Sequence, residues 1–363
     1  MAKRSAPSDL GPPSSAYKSS QVATPNSSVS DLKDESTDCP TSKKRKMTPL
    51  MPIVFTSPGK KADTRMMVFN QEFQVYSEGI KMNSMFFQKF FGHQNQATST
   101  SVFKDWKYEW FTMIEEDGGW CLTSDPKGHE ENSTKVEETA FNNILRALFL
   151  QQSVIGDGLD LMAFTELADY YLCLPAAQNS LHASLLHNHI LNADIQKDCV
   201  MLLECAYKLR HEVLFRDCLI HTLGPFSKPK CLELVNPTLR NLANSELTKL
   251  KVKLCGVQTI ITEIINDSKA ADAQKIIGLA ADSKGSNGRL ALACWFRKLY
   301  QLEGTVKDCT GASLVRYLDP VLKNNLRVGN SNIPAGEGRF KDSFLCTMIT
   351  KSQLPWDLEQ KDW

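Results

Sequence analysis

Three histidines, His182, His187 and His189, lie within eight residues of one another. Imidazole is the commonest metal ligand in proteins, and His182 and His189 fall on one face if this segment is helical. A zinc site also needs thiolate or carboxylate ligands at matching spacing, and neither an HExxH motif nor a Cys/His finger spacing occurs. We therefore predict no metal site and interpret these side chains as surface or core histidines.

Three adjacent acids, Glu115, Glu116 and Asp117, could serve as general acids or bases. The two glycines that follow predict a hairpin turn, where carboxylates are normally solvated. Neither this turn nor the glycine-containing segment 284–288 leads from a strand into a helix with the spacing that cradles a phosphate. The sequence thus predicts no catalytic residue and no cofactor, and an enzyme of unrecognised class is kept only as the last alternative.

The composition is typical of a soluble globular protein with two or three domains. Of the 363 residues, 42% are hydrophobic and 23% are charged. No apolar run reaches the roughly 18 residues that a membrane-spanning helix needs, so we expect no membrane contact. The 11 cysteines form no CxxC pair, which favours reduced thiols of an intracellular protein.

The first 61 residues differ from the rest, because 12 Ser, 5 Thr and 8 Pro fall among them. Such a segment buries too little apolar area to offset its ordering entropy, so we predict a disordered tail over 1–61. A compact basic run inside it predicts a signal for a nuclear import receptor and a nuclear location: Lys43, Lys44, Arg45 and Lys46. The alternative is a solvated charge run with no partner.

The rest of the chain has 32 Lys and Arg against 36 Asp and Glu, so no direct contact with nucleic acid is expected. Alternation predicts short strands at "MMVF" and "EFQVYS" with a turn at Asn70-Gln71, then one apolar helix from Ser77 to Phe91. Two aromatic strands on either side of Asp117 follow, and helices dominate afterwards. These include a helix ending near Pro175, a long helix around 245–265 and a last helix kinked or broken before Pro320.

This order of elements resembles the BTB/POZ family, whose strand leads into a helix with the pattern F-x-V-H-x-x-x-L-x-x-x-S-x-x-F. The matching positions here are Phe73, Val75, Tyr76, Ile80, Ser84 and Phe87, with Tyr76 in place of the usual histidine. The segments "AFNNILRALFL" and "FTELADYYLCLPAAQ" resemble the later helices of the family, and the aromatic strands are similar to those of fungal members. The resemblance implies an α+β fold with a BTB/POZ-like domain over 62–190, a BACK-like helical extension over 191–226 and a mostly helical region over 227–363.

The resemblance also implies contact with other proteins. Five apolar side chains are more than one small sheet covers and form the expected homodimer surface: Met82, Met85, Phe86, Phe90 and Phe91. The alternative is that they pack within their own chain. Leu148 and Phe149 are the expected contact with a partner such as a cullin-type ubiquitin ligase scaffold. We therefore expect a non-catalytic, self-associating module that acts as a ligase adaptor; the alternative is a nuclear transcriptional or chromatin cofactor without its own DNA-binding domain.

Overall fold

The computed structural model describes residues 51–93, 106–116, 118–129, 135–267, 270–285, 288–302, 313–328 and 333–360. The basic run Lys43, Lys44, Arg45 and Lys46 lies outside these residues. A five-stranded mixed sheet and twelve helices are present in the described ranges, which confirms the predicted α+β class with a mostly helical later part.

The chain divides into two compact units. The first contains the described residues up to Met82 together with Gln88–Glu138, and the second contains Asn83–Phe87 together with the chain from Thr139 onward. The domain boundaries expected near residues 190 and 226 both fall within the second unit, and they remain predictions.

The first unit is built around the sheet. Its strands are β1 (Ile53–Phe55), β2 (Thr64–Val68), β3 (Gln71–Val75), β4 (Tyr108–Ile114) and β5 (Trp120–Thr123), in the spatial order β1-β3-β2-β4-β5. The hairpins β2–β3 and β4–β5 are antiparallel, whereas β1 pairs with β3 and β2 pairs with β4 in parallel. Strand β1 lies inside the segment that we assigned to the disordered tail, so regular structure begins before residue 61.

Alternating burial fixes the register of the hairpin β2–β3. Phe73 and Val75 are buried on β3, as predicted, opposite Met66 and Thr64 of β2. The turn is at Phe69-Asn70, one residue earlier than expected. Phe69 is fully buried and adopts a positive φ of 51°, while its N–H donates to the Thr112 Oγ1 at 2.7 Å. Burial of this ring therefore sets the turn, which short-range turn signals did not indicate.

The single apolar helix predicted from Ser77 to Phe91 is wrong, because the segment forms α1 (Ser77–Met82) and α2 (Met85–His93). Ser84 lies between the end of α1 and the start of α2. Its Oγ accepts the N–H of Phe87 at 3.1 Å, in the manner of a helix N-cap, and its hydroxyl donates to the Tyr171 carbonyl at 2.6 Å. The break thus has a physical cause in the second unit, where these three residues lie.

Helices make up most of the second unit. They are α3 (Lys135–Leu148), α4 (Gly158–Tyr170), α5 (Leu174–His187), α6 (His189–Lys197), α7 (Cys199–Lys208), α8 (Glu212–Thr222), α9 (Pro237–Asp267), α10 (Ala270–Ala281), α11 (Leu292–Tyr300) and α12 (Val315–Leu322). Although α9 has 31 residues, no helix in the described ranges combines the length and the apolar character that crossing a membrane requires.

Three of these helices differ from the sequence-based expectation. Helix α4 ends at Tyr170, well before Pro175, which instead lies in the first turn of α5. Helix α12 continues through Pro320, because Leu318 and Val321 are buried on either side of it and hold the helix in the core. Helix α10 was not predicted.

The chain beyond α12 has no α-helix in its described part, yet it completes the core of the second unit. Its aromatic and aliphatic side chains Phe340, Phe344 and Leu345 are buried. Polar groups fasten it to the helices: the Arg297 Nε on α11 donates to the Ala335 carbonyl at 2.9 Å, and both carboxylate oxygens of Asp217 on α8 accept backbone N–H groups. We call residues 323–354 the closing segment.

Candidate interaction surface

The histidines and cysteines of the described residues form no constellation suited to catalysis. No group of three or more His, Cys, Asp and Glu side chains in these ranges could hold a metal ion. His182 is exposed, and its ring centroid is 6.1 Å from that of His211, whereas the side chains of His187 and His189 lie outside what the structure describes. The absence of a metal site at these three histidines therefore stays a prediction.

The buried thiols are poor nucleophiles. Desolvation raises the pKa of Cys199 to about 11 and that of Cys205 to about 12, so both remain protonated at neutral pH. Glu115 and Glu116 are exposed at the end of β4, and Asp117 lies outside the described residues. Neither Glu115 nor Glu116 has the burial that tunes a carboxylate for acid–base catalysis.

The residues of the BTB/POZ-like pattern occupy structural positions. Phe73, Val75, Ile80 and Phe87 are fully buried. Tyr76, at the third pattern position, is half-buried, and its N–H donates to the Phe55 carbonyl at 3.0 Å. Ser84 caps a helix, as described above. The pattern residues therefore form the core and fix the backbone, and a contact with a partner would have to be made by other side chains.

The five residues of the expected dimer surface have different surroundings. Met82 is 83% exposed and Met85 is 53% exposed. In the first unit, Phe91 is buried against Tyr108, and the half-buried Phe90 has its ring centroid 4.3 Å from that of Trp110. The sheet of the first unit therefore covers Phe91 fully and Phe90 in part.

Leu148 and Phe149, the expected partner contact, lie where α3 ends. Leu148 is only 1% exposed and belongs to the core of the second unit, while Phe149 is half-buried. The side chain that reaches solvent is Leu150, which is 77% exposed. Sequence periodicity missed it because Leu150 lies beyond the helix, where the 3.6-residue repeat no longer applies.

Leu150 lies beside a junction where three parts of the second unit meet. The Asn83 Nδ2 donates to the Leu148 carbonyl at 2.8 Å, and the Ser84 hydroxyl binds the carbonyl of Tyr171 at the end of α4. Residues 83–87 thus bridge the C-terminal ends of α3 and α4. Three exposed apolar side chains lie one or two residues beyond the contact residues Ser84, Leu148 and Tyr171 in sequence, namely Met85, Leu150 and Leu172. We call these three residues the junction surface.

Aromatic packing gives the junction surface a rigid base. The Phe86 ring lies 5.5 Å from that of Tyr170 and 5.2 Å from that of Tyr171, measured between centroids. The loop after α3 is also held, because the Asn143 side-chain amide bonds both to the N–H and to the carbonyl of Val154. The exposed side chains therefore project from fixed backbone.

The backbone at Leu150 and Leu172 is strained. Their φ angles are 57° and 50°, in the left-handed region where glycine is the usual residue. Both occupy the position just past a helix end in which two hydrogen bonds close the last turn: Leu150 N–H donates to the Ala147 carbonyl at 3.0 Å, and the next N–H, that of Gln151, reaches back to Arg146 at 2.8 Å. A branched residue here costs about 1–2 kcal/mol relative to glycine. Leu150 is 77% exposed, so burial of its side chain offsets little of this cost, and Leu172, which is 48% exposed, offsets it in part.

Comparison with known proteins supplies no relative from which a role could be inferred. No protein-family model, curated protein or solved structure matches this chain. Among the described residues, the junction surface is the feature that indicates a function, because its apolar side chains are exposed.

Proposed function

We propose that this chain is a non-catalytic protein-interaction module of the BTB/POZ type, which binds a second copy of itself through the junction surface and recruits other proteins. One observation carries the proposal: two leucines, Leu150 and Leu172, are held exposed in a backbone conformation that favours glycine. Strain that local packing does not repay is a feature of functional positions.

The architecture supports the same proposal. A small mixed sheet, two short helices after its first hairpin and a series of helices from α3 onward follow the order that the resemblance implies. The pattern residues Phe73, Val75, Ile80 and Phe87 are buried, as residues that define a fold should be. The proposal of BTB/POZ type depends on this agreement in order and burial.

Energetics favour a protein partner. Complete burial of a leucine or methionine side chain contributes about 1.5–3 kcal/mol, so Met85, Leu150 and Leu172 could together drive association. A stable interface buries about 800 Å² on each partner, more than three side chains supply, so the flanking half-buried rings of Phe86 and Phe149 would form its border. A second copy presents the same apolar groups and is the simplest partner that matches them.

Substitution of both leucines by asparagine tests self-association. Asparagine tolerates the left-handed conformation, so Leu150→Asn with Leu172→Asn removes apolar surface without adding strain. We expect the wild-type chain to have the mass of two copies in light scattering after size-exclusion chromatography, and the double variant to have the mass of one copy. The free energy of unfolding of the isolated chain should stay unchanged or rise.

The control is Val252→Asn, because Val252 is an exposed apolar residue on α9, away from the junction surface in sequence. It should retain the mass of two copies. A wild-type chain with the mass of one copy at tens of micromolar, or a double variant that still self-associates, would refute the proposed role of the junction surface.

The partner class can be tested with the same variants. As a ligase adaptor, the chain would retain a cullin scaffold in a pull-down with purified proteins, and Leu150→Asn would weaken this retention because Leu150 lies next to the expected contact Phe149. Leu148 is unsuitable for this test because its substitution would damage the core. Failure of the wild-type chain to retain a cullin would remove the adaptor role and favour a nuclear cofactor.

A further inference from the structure

A cleft of ≈ 300 Å³ with a mixed polar and apolar lining lies in the second unit, and none of its lining residues belongs to the junction surface. The C-terminal end of α6, the end of α8 with the chain that follows it, and the closing segment contribute its walls. The polar and small residues that line it are Gln196, Lys197, His221, Gly224, Lys230 and Ser343. The cleft therefore draws on parts of the sequence that are far apart.

His221 is the first feature that points to a ligand. Its side chain is only 9% exposed, and within the described part of the chain no hydrogen bond joins either ring nitrogen to another residue. The ring stacks on Phe340, with 5.8 Å between centroids and 22° between planes, which fixes its orientation. A buried imidazole that lines a cleft and lacks a protein partner leaves hydrogen-bonding capacity for a bound molecule.

Ser343 is the second feature. It is also 9% exposed, and its Oγ makes no hydrogen bond to another described residue. The hydroxyl lies against the backbone of Gly224: a Cβ built on that glycine would be 2.8 Å from the Ser343 Oγ. The absence of a side chain at Gly224 thus makes room for the Ser343 hydroxyl. Gly224 lines the same cleft as His221, which precedes it by three residues.

The charges around the cleft are mainly positive. Lys230 contacts the C-terminal end of α6, where its Nζ donates to the carbonyls of Gln196 at 2.9 Å and Lys197 at 2.7 Å. An ammonium group has three N–H donors, so one remains for a ligand. Lys197 also lines the cleft, and its only ion pair in the described residues is a 3.7 Å contact with Asp198.

We propose that this cleft binds a phosphate group, either free phosphate or a phosphomonoester, through the side chains of Lys197, His221, Lys230 and Ser343. A phosphate dianion presents three or more acceptor oxygens, which suits four converging donor groups and two ammonium charges. A carboxylate has only two oxygens and one charge. This proposal is independent of the self-association proposed above.

The ionisation of the cleft agrees with an anionic ligand. Burial, with the positive charges of Arg339 and Lys230, lowers the pKa of His221 to about 3, so its imidazole is neutral at pH 7 and keeps one N–H to donate. Asp342, next to Ser343 in sequence, accepts the N–H and the hydroxyl of Ser227 with its Oδ2, whereas its Oδ1 is buried without a partner among the described residues. The charges that act on His221 are thus cationic, and an anion would neutralise them.

Titration calorimetry with the full chain at pH 7 tests the site, with inorganic phosphate and N-acetyl-phosphoserine amide as the probes. We expect one equivalent of phosphate to bind. Lys197→Ala should weaken binding about tenfold through loss of one charge-assisted contact. Ser343→Ala should weaken it several-fold and is small enough to fit the same space. The matched control Lys275→Ala changes an exposed lysine on α10 that does not line the cleft, and it should bind phosphate like the wild type.

Each outcome decides the proposal. Binding of both probes supports a phosphomonoester site, and binding of inorganic phosphate alone supports a site for the free anion. Absence of binding at millimolar phosphate would overturn the proposal. So would binding that Lys197→Ala and Ser343→Ala leave unchanged, or acetate binding as tightly as phosphate. Because the mass of the chain in solution is measured separately, failure here does not affect the junction surface.

Discussion

Asp217→Ala is expected to lower the free energy of unfolding of the second unit by about 3 kcal/mol or more. Asp217 is fully buried on α8, and its two oxygens accept three hydrogen bonds: from Arg327 N–H at 3.0 and 2.9 Å, and from Val328 N–H at 2.6 Å. Alanine would leave the buried Val328 N–H without a partner, which costs about 1–3 kcal/mol, and would remove the acceptor of the partly buried Arg327 N–H.

Urea unfolding of the full chain, followed by circular dichroism at 222 nm, measures this loss as a shift of the midpoint. The matched control is Asp272→Ala, at an exposed position of α10, which should change the free energy by less than about 0.5 kcal/mol. Asp217→Asn should be intermediate in effect, because one oxygen remains to accept while the new amide group faces an N–H donor. Equal stability of Asp217→Ala and Asp272→Ala would show that Asp217 does not hold the closing segment.

The second large effect is a loss of stability in acid, to which His211 contributes. His211 is buried before the first turn of α8, and its Nδ1 accepts the N–H of Leu214 at 3.3 Å. Burial, with a smaller contribution from His182, lowers the pKa of His211 to about 4. Protonation of Nδ1 would also remove this acceptor, so the native state resists protonation for two reasons.

The direction of the pH effect follows from the proton balance. Below pH 6.5, the ordinary histidine pKa, His211 of the unfolded chain binds a proton. Native His211 stays neutral until the pH falls to about 4. His211 therefore contributes a loss of about 3 kcal/mol of stability as pH falls through this range. Asp217 acts in the opposite direction, because burial raises its pKa to about 7 and its contribution is lost as pH rises through that value.

His211→Asn isolates the histidine contribution. Asparagine can accept the same N–H at the helix start but does not titrate. We expect the variant and the wild type to differ in the pH dependence of unfolding free energy between pH 4 and 6.5, the variant losing less stability in acid. Parallel curves for the two proteins would show that His211 is not held neutral in the fold. His182→Asn removes only the smaller contribution of His182 to the His211 pKa, so its curve should lie much closer to the wild-type curve than that of His211→Asn does.

The sheet was the part of the fold that the sequence predicted best. Alternating apolar residues identified the buried faces of the strands at Phe73 and Val75, because period-2 alternation is a local property. The turn before them was misplaced by one residue, since burial of the Phe69 ring is a tertiary effect. The helix predicted as continuous to Phe91 breaks at Ser84, whose hydroxyl binds a carbonyl 87 residues away. An Asn-Ser pair inside a helical pattern was the available capping signal.

The candidate sites were harder to predict, for a physical reason. The family resemblance indicated Leu148 and Phe149 as a partner contact, but the helix ends at Leu148 and the next residue exposed to solvent is Leu150. Glycine usually signals such an ending, and none is present there. The cleft combines His221 with Ser343 from a distant part of the sequence, and nothing in the local pattern around either residue indicates that they meet.

The closing segment has a consequence for synthesis of the protein. Residues 323–354 leave the ribosome after every helix from α3 to α12, yet they supply the backbone donors for Asp217 and cover part of the apolar core. A nascent chain that has already formed α8 thus carries an unmatched carboxylate and uncovered leucines until Arg327 and Val328 emerge. During that interval the second unit keeps apolar surface uncovered, which is the condition that favours aggregation of a partly folded chain.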